Sequence, residues 1–243
     1  MRRAGGSAYT SDVEKIVYVG WTPEGMALAD FRAALFGPVA ATLVERGARG
    51  VTVLLADDQA VQGLRIARRD PTVVVSVWVD SAVRSAALEE VLRGVTSKLA
   101  GWLVLESVPI RNTAHVVPVG DRIPGLYTVA FLEKPDGLDY ATWLAHWQGD
   151  HTPIAIETQR TFLYVQNVLV RALTPDAPPW SAIVEEAFPA EAATDPMRFY
   201  AASTPGELAT QQQRMVASCE RFIDFARFET LPMSAYVLAP PTF

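Results

Sequence analysis

An α+β fold of two ferredoxin-like βαββαβ units closing into a pseudo-dimeric α/β barrel is the architecture the sequence predicts. Strand-like and helix-like segments follow one another in the order βαββαβ, and that order returns at a period of about 110 residues. The chain has 243 residues, room for two units of about 100 to 120 each. Each unit makes a four-stranded antiparallel sheet with helices on one face. Packing the two bare faces together buries them and protects the strand edges. Two separate ferredoxin-like domains, each pairing with another chain, are the alternative.

The elements follow in order. Lys15 to Thr22 is rich in β-branched and aromatic residues, and Leu28 to Arg46 has apolar residues at helical spacing before Gly47. Gly50 to Ala56 and Thr72 to Val79 read as strands, Ser81 to Leu99 as a helix on Val83, Ala87, Leu88, Val91 and Leu92, and Trp102 to Val108 as a strand. The second half repeats this order: strand Leu126 to Leu132, helix Tyr140 to Glu157, strands Phe162 to Val170 and Ala182 to Phe188, helix Pro205 to Phe225, and a last strand Ser234 to Leu238. The boundaries expected are a flexible tail at 1–11, a first domain at 12–108, a linker at 109–124 and a second domain at 125–243. Phe31 aligns with Trp143 without gaps, but identity between the halves is poor, so element order carries the repeat.

Composition excludes several function classes. A net charge of −6 provides no basic surface for phosphate, and no Lys/Arg cluster alternates with aromatics, so nucleic acid is not an expected partner. One cysteine, Cys219, rules out an internal disulfide and fits a reducing, cytoplasmic compartment. No stretch approaches about 18 uninterrupted apolar residues, so no membrane partner is expected. Three scattered histidines without metal-ligand spacing, and the lack of GxGxxG, P-loop or GxSxG motifs, lead us to expect neither metal nor nucleotide cofactor.

One segment carries chemistry. In Asp139 to Pro153, Trp143, Trp147 and His151 recur every four positions, spanning about 80° of a helix face. Pro153 has no N–H to give the Gly149 carbonyl, so the helix is expected to break or kink just after His151. The segment resembles the EthD family, whose signature is an aromatic, a Trp four residues on, and a His four further on with Pro behind it. Phe162-Leu-Tyr164-Val-Gln166-Asn167 resembles the family's Tyr-x-Gln-Asn strand, Ile183 to Phe188 its acidic strand, and Glu220 to Asp224 the end of its second helix. The resemblance covers the C-terminal half. Cys219 stands where an acidic residue is more usual, and Pro189 to Pro196 is an insertion. The first half has Phe36-Gly37-Pro38 in place of His-x-Pro on a helix expected to be about three residues shorter, so a site built on His151 exists once per chain.

The resemblance implies a cofactor-independent enzyme, of oxygenase or polyketide cyclase/dehydratase type, acting on a small hydrophobic or aromatic molecule. His151 would transfer the proton, since imidazole titrates near neutral pH. Tyr164 or Glu185 would orient it, with Trp143, Trp147 and Asn167 binding the substrate. Period-2 alternation puts Glu185 with Ile183 and Ala187, Glu186 with Val184 and Phe188, and Tyr164 opposite in direction to Asn167. The structural counter-readings are a His tied to a proline kink and tryptophans that are plain core. The alternative function is a non-catalytic binding or accessory protein; a homo-oligomer of pseudo-dimeric chains is compatible with either. A ligand site demands a cavity of about 300 Å³ or more beside His151.

Overall fold

The computed structural model describes residues 13–242; the expected tail at 1–11 lies outside them. The first half comprises β1 (Glu14–Trp21), a helix α1 (28–45), β2 (Gly50–Leu55), β3 (Val73–Val79), a short turn into α2 (Ala86–Arg93), and β4 (Lys98–Ile110). The second comprises β5 (Arg122–Leu132), α3 (140–158), β6 (Leu163–Ala172), β7 (Ala182–Phe188), a short α4 (Pro196–Phe199), α5 (Pro205–Cys219) and β8 (Glu229–Ala239). Among the described residues no helix is long and apolar enough to cross a membrane.

The eight strands form one closed antiparallel barrel in the order β1-β3-β2-β8-β5-β7-β6-β4. Each half therefore has the ferredoxin-like order, β4-β1-β3-β2 and β8-β5-β7-β6, and the halves join through β2–β8 and β4–β6. Closure gives every strand a neighbour on both sides, although β2 pairs with β8 only from Ser234 onward. Alternate residues of each strand then face either the lumen or the helices. The lumen is packed by Val17, Val129, Phe131, Trp180, Ile183 and their neighbours. Outside it, α1 and α2 cover the first half over Ile16, Tyr18, Phe31 and Val75. In the second half α3 and α5 enclose Trp143, Trp147, Tyr164, Val184 and Met215.

Three helix expectations are corrected. The helix expected over Ser81 to Leu99 reduces to α2, because Gly94 follows Arg93 and Leu99 already pairs with Gly20 in β4. The last helix stops at Cys219, leaving Phe222 and Phe225 in the turns that follow, and β8 begins at Glu229, ahead of the expected Ser234. Most consequential, α3 does not break after His151. It widens over Ala145–His151 into a π-type turn, where the Thr152 N–H reaches back five residues to the Trp147 carbonyl, and then continues to Thr158. A widened turn accommodates a residue with no N–H to donate while keeping the chain helical. The helix α1 does the same over Leu35–Val39 around Pro38, so it is not shortened. At the offset that matches Phe31 to Trp143, the counterpart of His151 is Val39, a buried apolar residue.

Candidate functional site

Between α3, α5 and the sheet of the second half lies a cavity of about 740 Å³, within the range of small-ligand sites at about 300–1,000 Å³. Its floor is the helix-facing side of β5, β7 and β6. In the ladder, Thr128 pairs with Glu186 and Glu186 with Tyr164, so these three make one polar row across the floor. One row on, Leu126 pairs with Phe188, and the surface is apolar again. Trp147, His151, Met215 and Phe222 form the wall and roof.

His151 is held at the end of the wide turn with its ring 4.7 Å from that of Phe222. Its Nδ1 lies 2.8 Å from Ser218 Oγ, and Ser218 gives its only proton to the Met215 carbonyl at 2.9 Å. A serine committed in this way accepts from Nδ1–H, which is the tautomer that leaves Nε2 an acceptor, and the ring lines the cavity. Burial disfavours the imidazolium and pulls the pKa down to about 4, so His151 is neutral at ordinary pH.

Tyr164 is fully buried at the floor. Gln166 Nε2 donates to its phenolic oxygen at 2.9 Å and to Thr152 Oγ1 at 2.7 Å, and Thr152 donates to the Trp147 carbonyl at 3.1 Å. The side chains of Gln166, Thr152 and Trp147 thus surround the Tyr164 hydroxyl. Burial, with the nearby Glu186 charge, raises its pKa well above the usual phenol value. Glu186 itself receives no hydrogen bond and no cation pairs with it among the described residues; enclosure raises its pKa to about 7. The same burial and the Glu186 charge push the Cys219 thiol up to about 12, so it stays protonated although Sγ is 3.8 Å from His151 Nδ1.

The sequence-predicted residues divide between two places. Trp147, His151 and Tyr164 line the cavity together. Trp143 does not: it is packed beneath Trp147 with its Nε1–H on the Phe222 carbonyl at 3.1 Å. Glu185 and Asn167 face the lumen, away from His151. There Glu185 accepts from Asn167 Nδ2 at 2.9 Å and from Lys15 Nζ at 3.3 Å, and Lys15 also holds Glu106 at 2.7 Å. The carboxylate beside Tyr164 is thus Glu186, the other member of the alternating pair. Ser218 was not singled out from sequence and the 189–196 insertion was given no site role, yet Ser218 is the hydrogen-bond partner of His151 and Ala192, Thr194 and Pro196 form part of the cavity wall. Among the described residues no group of three or more His, Cys, Asp or Glu is placed to hold a metal ion.

No family model and no curated protein matches this chain. Solved structures do. The crystal structure of an anthrone oxidase-like protein superposes with a TM-score of 0.54 at 10% identity, covering 95% of this chain and 93% of that one. A protein from Lactobacillus acidophilus NCFM provisionally named a monooxygenase gives 0.48 at 9% identity, covering 93% and 94%. A chlorite dismutase variant from Candidatus Nitrospira defluvii gives 0.47 at 12%, covering 93% and 92%. At such identities the first of these likenesses establishes the fold, that of the dimeric α/β-barrel proteins, and nothing about chemistry.

Proposed function

We propose that the chain is an EthD-like α/β-barrel enzyme, of oxygenase or cyclase/dehydratase type, that moves a proton on a small hydrophobic molecule held between α3 and the sheet of its C-terminal half. The observation that carries this reading is the convergence of an imidazole, a phenol and a carboxylate without a cation partner on one mostly apolar cavity. Polar groups left without partners in such a chamber cost free energy until a ligand satisfies them. The cavity is thus complementary to a molecule that is mostly apolar and carries an O–H or an acidic C–H.

The roles follow from the electrostatics. The proton affinity of Glu186, near pH 7, matches that of a general base working at neutral pH, whereas His151 holds a proton poorly. His151 accepts the hydrogen bond that orients the ligand, Glu186 takes the proton, and the Tyr164 hydroxyl, held by Gln166, stabilises the anion that forms. An electron-rich carbanion or phenolate of this kind can react with dioxygen, the oxygenase outcome, or attack within the same molecule, the cyclase outcome. The name of the anthrone oxidase-like neighbour agrees with the first.

The test is a panel of hydroxyaromatic compounds incubated under air, followed by oxygen uptake and product mass for the wild type, H151A and E186Q. Turnover in the wild type, lost in both variants while binding persists, supports the enzyme. Turnover that neither variant disturbs refutes this site, and binding without turnover in every protein supports the carrier reading instead.

A further inference from the structure

The N-terminal half, which has Val39 where an imidazole would stand, nevertheless reaches the C-terminal cavity. The long connection 56–72 between β2 and β3 leaves its own half and lies against β8 and β5. It is pinned at both ends. Asp57 accepts from Ser234 Oγ at 2.6 Å and from the Tyr236 hydroxyl at 2.7 Å. Ile66 exchanges two backbone hydrogen bonds with Thr230, at 2.8 and 2.9 Å. The fully buried Glu229 accepts from the backbone N–H groups of Arg68 and Arg69, at 2.9 and 2.8 Å, and from Arg69 Nη1 at 2.6 Å.

Between the pins, Gly63 and Leu64 line the cavity. A Cβ at Gly63 would sit 2.9 Å from Leu126 Cδ1, so the absent side chain lets the segment close down on the floor of β5. Leu64 is 67% exposed, an unusual state for leucine, and two further exposed apolar residues, Val216 and Phe225, also border the same cavity. The polar row of Thr128, Glu186 and Tyr164 lies on the floor, the next row along the ladder, Leu126 and Phe188, is apolar, and Gly63 brings Leu64 to that apolar row. Along the floor toward Leu64 the lining therefore passes from polar to apolar.

We infer that the cavity takes an elongated amphiphile, a hydroxyl-headed molecule with an apolar tail, and that Leu64 of the N-terminal half holds the tail at the mouth while the hydroxyl meets Glu186 and His151. The inference rests on the ligand-site reading above and adds the ligand's orientation and a specificity role for the segment 56–72. A ligand in this pose gives its one O–H to one of the two acceptors and covers the exposed Leu64 with its tail.

A series of 4-alkylphenols, from 4-ethylphenol to 4-octylphenol, provides the probe, with binding followed by calorimetry. In the wild type, affinity rises with tail length by about fourfold per buried methylene. Leu64→Asp, on an exposed side chain whose loss leaves the core intact, lowers the ratio of 4-octylphenol to 4-ethylphenol affinity about tenfold and leaves 4-ethylphenol unchanged. The matching 4-alkylanisoles, which have no donor, bind about tenfold more weakly than the phenols to the wild type, and E186Q narrows that gap. If no alkylphenol binds the wild type, the ligand-site reading falls and this inference with it. If phenols bind with the same tail dependence in Leu64→Asp, or if anisoles bind as tightly as phenols, the cavity stands and the orientation is overturned.

Discussion

Replacing Glu186 by glutamine should remove a pH dependence of stability that belongs to this one carboxylate. In the folded chain the group is partly buried, pairs with no cation among the described residues and holds its proton to about pH 7, against 4.5 in an exposed glutamate. The folded state therefore binds a proton that the unfolded state has already released between those two values. Stability falls as pH rises through that window, and the full penalty is present above pH 7. At about 1.4 kcal/mol per pK unit, the loss reaches about 3 kcal/mol. Urea denaturation of wild type and E186Q at pH 5 and pH 8 isolates it, because every other titrating group is common to both. The wild type should lose up to about 3 kcal/mol relative to E186Q between the two pH values. Parallel changes in the two proteins would show that Glu186 is solvated or paired, and its assignment as the poised base would fail.

Three further outcomes follow. His151, neutral and buried with a pKa near 4, does the opposite in acid: the unfolded chain takes up its proton below about pH 6.5, so H151Q should lose less stability than the wild type between pH 6.5 and pH 4, by up to about 3 kcal/mol in denaturation curves. Lys15→Met strips the lumen's buried ammonium from Glu185 and Glu106 and should cost about 3–5 kcal/mol in the same assay; a change below about 1 kcal/mol would mean that those carboxylates find other partners. Cys219 should resist iodoacetamide at pH 8 in the folded protein and react at the rate of a free thiol in urea, measured by mass spectrometry, since its thiolate is suppressed about a thousandfold by burial and the Glu186 charge.

Much of this architecture is legible in the residues. The strand Ala182 to Phe188 is read to its ends, because a short run rich in apolar and β-branched residues stands there between Ser181 and Pro189. The Trp143, Trp147, His151 spacing finds the helix face, and the position of Val39 explains why the first half offers no equivalent imidazole. Pro153 is visible too, and of the break or kink expected there the break does not occur. A proline inside a helix can be relieved by a break or by one wide turn, and packing of Trp147 and His151 on the sheet selects the turn that keeps both rings buried. Ser218 is unremarkable in sequence. Only its place opposite the ring, 67 residues away, makes it the partner that fixes the tautomer.

By itself, the sequence determines the order of elements, the segregation of apolar faces and the fact that Glu185 and Glu186 point in opposite directions, since all three depend on backbone periodicity. Which carboxylate meets the cavity is decided by closure of the barrel. Closure turns one face of β7 into a lumen, where Lys15 arrives from 170 residues away to neutralise Glu185, and turns the other toward α3 and α5, where no cation waits for Glu186. The segment 56–72 follows the same logic: the edge of β8 beyond the end of β2 pairs with Ile66 and brings Gly63 and Leu64 to the other half's cavity. Long-range pairing of this kind leaves no periodic trace in a sequence, because it depends on where two distant backbones meet and on which buried groups are then left to satisfy each other.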